Sequence, residues 1–161
     1  MNYFIIIRGP LGIGKTTIAQ ELTKTLNAEH ISIDKIMEEN GLNKEDNDYT
    51  AEDFVKANEY IIDKAKNLVQ RGKIVIFDGC FYHKEQIEDL IKKLNFKHFI
   101  FTLKAPLTVC IERDKNRKLT YGEDACQAVY SLVSKFDYGT IINTENKSIT
   151  EIVNEITLRL K

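Results

Sequence analysis

A run of β-branched and aromatic residues, Phe4-Ile5-Ile6-Ile7, passes through Arg8 straight into Gly9-Pro10-Leu11-Gly12-Ile13-Gly14-Lys15-Thr16, and no other stretch restricts the fold of this chain as much. An uninterrupted apolar run of this kind reads as a strand covered on both faces. The octapeptide satisfies G-x-x-x-x-G-K-[ST] at every fixed position. Behind it Ile18, Ala19, Leu22 and Leu26 recur at helical spacing, so the glycines join a strand to a helix. Gly12 and Gly14 let the backbone curl until several N–H groups converge on one anion, and the helix N-terminus adds its positive end. The ligand that suits this loop is the polyphosphate of a nucleoside triphosphate, read as ATP with Mg2+. Lys15 then lies against the β- and γ-phosphates, the Thr16 hydroxyl completes the magnesium shell, and Thr17 reaches the α-phosphate. Residues Gly9 to Thr17, with Pro10, Leu11 and Ile13 as the variable positions, form the expected cofactor-binding loop.

Apolar runs recur at Ile74–Phe77, Phe99–Leu103 and Ile141-Ile142, with a weaker one at His30–Ile33, and helical patterns separate them. From Ala51 to Arg71 the apolar positions fall at three- and four-residue spacing behind a Thr50/Asp53 capping box, and Gly72 marks the stop. Ser148 with Glu151 repeats the box before a last amphipathic helix. Pro106 opens a helix to about Lys115, and Asn116–Gly122 is polar enough for a loop or lid. This alternation predicts an α/β, three-layer sandwich of about five mainly parallel strands. With 161 residues, 43% hydrophobic and 29% charged, the expectation is one domain over residues 1–161, with an acceptor cover at 35–60 and a lid at 113–124.

A phosphate loop alone does not separate a kinase from a nucleotide switch. Asp34 lies at the end of the second candidate strand and Asp78 at the end of the third. Ligands of an open parallel sheet bind beyond the carboxyl ends of its strands, so both carboxylates should border the phosphates. Asp34 is also placed to cap the helix that begins at Lys35, and Asp78 to be a solvated turn residue before Gly79. Arg113, Lys115, Arg117 and Lys118 form a basic run, either a dipole-complementing helix end or a clamp for phosphoryl charge. Phe81, Tyr82 and His83 are candidates to line an acceptor pocket, while His30 and His98 stand beside strands with no partner visible in the sequence.

Nearly end to end, the chain resembles the small P-loop kinases, the group of polynucleotide 5′-hydroxyl kinase, chloramphenicol phosphotransferase, zeta toxin-like kinases, gluconate kinase and adenylylsulfate kinase. The resemblance rests on Gly9–Thr17, Ser32-Ile33-Asp34, Phe77-Asp78-Gly79, and Leu103-Lys104-Ala105-Pro106 followed by Arg113 and Arg117. It implies the strand order 2-3-1-4-5 of the P-loop NTPase fold. It also implies catalytic roles for Lys15, for Asp34 at the acceptor hydroxyl and for Arg117 and Arg113 in the lid, with Arg113 alternatively stacking on adenine. Asp78 is then either a magnesium ligand beside Thr16, through water, or an acceptor ligand.

The formal net charge of −1, and the acidity of residues 38–50, weigh against a long nucleic-acid track. Cys80, Cys110 and Cys126 lack disulfide or zinc spacing, and the N-terminus lacks a basic start and a cleavage site, so a cytoplasmic protein with no membrane partner is expected. The sequence is silent on oligomeric state. The leading reading is an ATP- and magnesium-dependent kinase acting on a hydroxyl of a small-molecule or nucleotide-like acceptor. The alternative is a P-loop ATPase switch acting on a protein or RNA; neither a guanine-recognition motif nor a glutamate after Asp78 supports it.

Overall fold

The computed structural model describes residues 2–161. Its five strands are β1 (Tyr3–Arg8), β2 (Glu29–Ser32), β3 (Val75–Gly79), β4 (Lys97–Lys104) and β5 (Thr140–Asn143), in the spatial order β2-β3-β1-β4-β5. Every neighbouring pair is parallel. The expected order is therefore found, and the sheet is wholly rather than mainly parallel. Ile7 pairs with Asp78 and Ser32 also pairs with Asp78, which brings the ends of β1, β2 and β3 level beneath the phosphate loop.

Side chains alternate across β1. Phe4 and Ile6 join a core on one face with α2 (Ile33–Glu39), α3 (Ala51–Glu59), α4 (Ile62–Gln70) and α5 (Lys84–Leu94). Ile5 and Ile7 join the opposite core with α1 (Lys15–Leu26), α6 (Leu107–Lys115) and α8 (Ile149–Leu158), against which Tyr130 of α7 (Glu123–Val133) packs. Ile5, Ile6 and Ile7 are all fully buried, so the continuous apolar run is the signature of a strand covered on both sides.

The single helix expected from Ala51 to Arg71 is two. The Thr50/Asp53 box forms, with Asp53 N–H donating to Thr50 Oγ1 and Thr50 N–H donating to Asp53 Oδ2. The turn then tightens at Tyr60 and Ile61, whose N–H groups reach back only three residues, to Ala57 and Asn58. Buried Asn58 donates to the Gln86 carbonyl and to Asp89, tying the end of α3 to α5, while α4 packs on the same core through Ala65 and Val69. Gly72 ends α4 at φ 82, with Gly72 N–H to Val69 O and Lys73 N–H to Leu68 O, the two bonds of a Schellman end. The Ser148/Glu151 box likewise opens α8. Ile33, expected to close β2, instead begins α2, and Pro106 occupies the N-cap of α6 rather than its first turn.

Candidate functional site

The phosphate loop is held open by close packing at its tip. Gly12 adopts φ 77, and a Cβ there would lie 2.2 Å from the Cys110 carbonyl oxygen, so α6 touches the loop where only glycine fits. Gly14, at φ 98, is the N-cap of α1 and turns the chain so that the first N–H groups of the helix point into the loop. Lys15 is buried, and its ammonium donates to Pro10 O at 2.8 Å, back within the phosphate loop.

A cleft of about 270 Å³ lies above this loop. Leu11, Gly12, Gly14, Lys15, Thr16 and Thr17 form its floor, and Asp34, Arg113, Arg117 and Tyr121 its walls. Both lid arginines and the β2-end aspartate named from sequence thus meet the phosphate loop in one recess. Asp34 sits in the first turn of α2, but the cap of that helix is Ser32, whose side chain accepts from Lys35 N–H. The Asp34 carboxyl is consequently turned to the cleft, although the residue as a whole is solvent-accessible along the rim. Loss of water in the recess pushes this carboxyl above the ordinary carboxylate range, against the pull of Lys15 and with the push of Asp78, while Arg117 also pulls it down.

Asp78 is 1% exposed and accepts from two side chains: Thr16 Oγ1 donates to its Oδ1 at 3.2 Å, and His30 Nε2 contacts its Oδ2. A hydroxyl beside a fixed carboxylate is an all-oxygen pair, the donor chemistry of a magnesium ion that keeps several waters and takes its other oxygens from phosphates. Thr16 and Asp78 therefore fit the metal as a pair. His30 was given no role from sequence; the parallel register of β2 and β3 brings it to Asp78 across a separation of 48 residues.

The two arginines differ in their commitments. Arg113 donates from Nη1 to Thr144 Oγ1 at 3.0 Å and from Nη2 to Thr144 O at 3.0 Å, with a longer contact to Ile13 O. It links the β5–α8 connection, where Thr144 is fully buried, to the phosphate loop. Arg117 lies in the connection between α6 and α7 and holds its guanidinium 5.0 Å from the centroid of the Tyr121 ring. That connection is latched by Asp114, which accepts from the N–H groups of Tyr121, at 3.1 Å, and Gly122, at 3.0 Å. Burial works to raise the Asp114 carboxyl, but those two backbone donors, together with Cys126 and the charge of Arg117, hold its pKa below the ordinary range.

A group of rings lies outside the cleft, between the acidic segment, α3 and the β3–α5 connection. Phe54 lies 5.5 Å from Tyr49 and 5.2 Å from Tyr82 between centroids, and Tyr82 lies 4.8 Å from His83. Of the three residues expected to line an acceptor pocket, Phe81 is buried in the core at φ 47, Tyr82 and His83 are half-buried, and none lines the cleft. Tyr49 and Phe54 went unremarked in the sequence because they belong to the acidic segment and the next helix, and only the fold sets them against the β3–α5 connection.

Known proteins resemble this chain in sequence and in fold. The chain is 25% identical over 142 residues to an adenylate kinase of Thermosipho melanesiensis, across 81% of this chain and 65% of that protein, so it spans just under two thirds of that relative's length. It is 27% identical over 161 residues to a shikimate kinase of Bacillus cereus, across 94% of each chain. A sugar kinase structure from Janibacter superimposes with a TM-score of 0.82 at 14% identity, over 98% of this chain and 94% of that one. The family described as an AAA domain matches residues 4–133, from the first strand through the end of α7, and the chain belongs to that family, in its small P-loop kinase form.

Proposed function

We propose that the protein transfers the γ-phosphoryl group of ATP, with magnesium, to a hydroxyl group of a small-molecule acceptor. The observation that carries this reading is the position of Asp34: a carboxylate relieved of capping duty, facing the same recess as Lys15, Thr16 and Arg117. The backbone N–H groups of the loop and Lys15 cradle the phosphates, and Arg117 is free to swing from Tyr121 onto the charge that develops during transfer. Asp34 orients the acceptor hydroxyl and accepts its proton as the oxygen forms a bond to the γ-phosphorus and the bond to the β-phosphate oxygen breaks, leaving ADP. Magnesium, held by Thr16 and through water by Asp78, would supply neutralisation of the β- and γ-oxygens. Arg113, with both terminal nitrogens engaged by Thr144, holds the nucleotide end of the cleft in place. No helix among the described residues is long and apolar enough to cross a membrane, in keeping with a dissolved acceptor.

The test is transfer of labelled γ-phosphate to a panel of alcohols, with free phosphate counted in parallel. Label in an acceptor, lost with Lys15→Ala and with Asp34→Asn, is the expected result. Free phosphate alone, unaffected by any acceptor, would instead favour a nucleotide-driven switch acting on a macromolecule.

A further inference from the structure

Of the cations that line the cleft, Lys15 and Arg113 are bonded within the fold. Lys15 donates to Pro10 O, and Arg113 donates to Thr144 and to Ile13 O. Arg117 is held differently. Among the described residues its side chain has neither a hydrogen bond nor an ion pair, and its guanidinium carbon stands 5.0 Å from the centroid of the Tyr121 ring. Both residues line the cleft.

No packing role explains the place of that ring. Tyr121 is 50% exposed and belongs to neither hydrophobic core. The backbone beneath it, by contrast, is fixed: Tyr121 N–H donates to both oxygens of Asp114 at 3.1 Å, and Gly122 N–H to one of them at 3.0 Å. Arg117 N–H donates to the main-chain carbonyl of the same aspartate at 3.0 Å. The ring and the guanidinium against it are thus hung from one buried residue at the end of α6. Burial raises the Tyr121 phenol, Asp34 adds to the rise and Arg117 opposes it, so the ring stands in the field of the phosphate site and not apart from it.

The kind of contact matters for what Arg117 can do. A carboxylate holding this arginine would occupy the N–H groups that a phosphoryl oxygen needs, and would have to be displaced before each transfer. A ring attracts the cation through its face and leaves the N–H donors free.

We propose that Tyr121 is a positioning residue for Arg117: its ring keeps the guanidinium at the rim of the cleft, donors unoccupied, where charge develops on the transferred phosphoryl group. This rests on the phosphoryl-transfer reading above and adds to it a residue that acts through Arg117 and not on the reacting atoms.

ADP with magnesium and fluoroaluminate imitates the phosphoryl group in transfer, and it requires no knowledge of the acceptor. The measurement is the gain in ADP affinity that fluoroaluminate brings, in the wild-type protein, in Tyr121→Phe, Tyr121→Leu and Arg117→Ala, and in the double variant of the last two, each with its thermal midpoint. In Tyr121→Leu the gain is expected to fall about three- to tenfold, with the midpoint and the affinity for ADP alone unchanged; in Tyr121→Phe, which keeps the ring, it is expected to hold. With Arg117→Ala already present, Tyr121→Leu is expected to change nothing further, because the two side chains act as one. A full gain in Tyr121→Leu overturns the proposal. So does a loss shared by Tyr121→Phe, which would assign the effect to the hydroxyl, and so does a loss that persists without Arg117. A wild-type protein that gains nothing from fluoroaluminate, or an Arg117→Ala variant that gains as much as wild type, leaves no clamp to position and overturns it too. Failure to phosphorylate any alcohol would strike the acceptor reading alone, since fluoroaluminate takes the phosphoryl position whichever oxygen attacks.

Discussion

Asp34 illustrates how one neighbour decides what a side chain is for. An aspartate at the start of a helix would ordinarily be read as its cap. Here Ser32 caps α2, and the Asp34 carboxyl is left at the edge of the cleft with Lys15 and Arg117 for company. Its pKa is raised chiefly by loss of water. Because transfer requires the carboxylate, the rate should climb as pH rises through that elevated pKa, giving an acid limb above the usual carboxylate range. Asp34→Asn should lower kcat by roughly 10²- to 10⁴-fold, leave KM for ATP in place, and erase the limb. A limb that survives in the variant would assign it to another group. His30 acts at one remove, since its ring holds one oxygen of Asp78 while Thr16 holds the other. His30→Ala should raise the magnesium concentration for half-maximal rate by about tenfold, with His30→Gln recovering part of the loss and kcat at saturating metal little changed. An unaltered magnesium requirement would reduce His30 to packing. Asp34 and Asp78 were legible in the sequence because each ends an apolar run, whereas the link from His30 to Asp78 depends on strand register, which no local pattern announces.

Among the elements, the connection between α6 and α7 is fastened by one side chain at two points. Residues 116–122 carry no regular structure of their own, and Asp114, at the end of α6, fastens them by accepting from Tyr121 and Gly122. The carboxylate acts here much as a cap does, and it places Arg117 at the rim of the cleft. Asp114→Ala should destabilise the protein by about 1–3 kcal/mol, the scale of one hydrogen bond to a charged acceptor, since the exposed Tyr121 and Gly122 N–H groups can turn to water. It should also lower kcat more than it raises KM for ATP, because Arg117 would lose its platform. Thermal unfolding beside steady-state kinetics checks both, and a fall in stability with normal kcat would detach the latch from catalysis. The same lid was visible in the sequence as a polar stretch after a basic helix end. α7 was not, nor was the break at Tyr60, because periodicity reports which face of a helix is apolar but not when its axis must turn. That turn is set by Asn58 reaching across to Gln86 and Asp89 of α5. Capping boxes and the Gly72 stop were readable because they are closed by residues only a few positions apart.

At the scale of the molecule, the residue that joins these parts is Arg8, which the sequence shows only as the residue between an apolar run and the glycine loop. It is fully buried and has no carboxylate within bonding distance. Nε donates to Phe81 O, Nη1 to Thr102 Oγ1 and Phe136 O, and Nη2 to Val133 O, with the guanidinium 4.4 Å from the Phe136 ring centroid. Burial lowers its pKa to about 10, with Asp137 and Cys80 opposing the fall, so the group stays charged at neutral pH. Its acceptors are the β3–α5 connection at Phe81, the strand β4, and the carbonyl end of α7, which already carries partial negative charge. One side chain at the end of β1 thus ties the β3–α5 connection to the end of α7. A buried ion is weak evidence for stability when an apolar residue can replace it together with its partner, but three of the four partners here are backbone carbonyls that no substitution removes. Arg8→Met should therefore cost on the order of 3 kcal/mol or more, because the Phe81 and Val133 carbonyls would be left buried without donors. Arg8→Lys should recover only a part, since an ammonium cannot fork to four acceptors. Because Phe81 holds φ 47 with its carbonyl in that network, the loss should also loosen the turn that presents Tyr82 and His83. Urea unfolding of the three proteins checks the cost, and unchanged stability would mean that water replaces the guanidinium at all of its carbonyls.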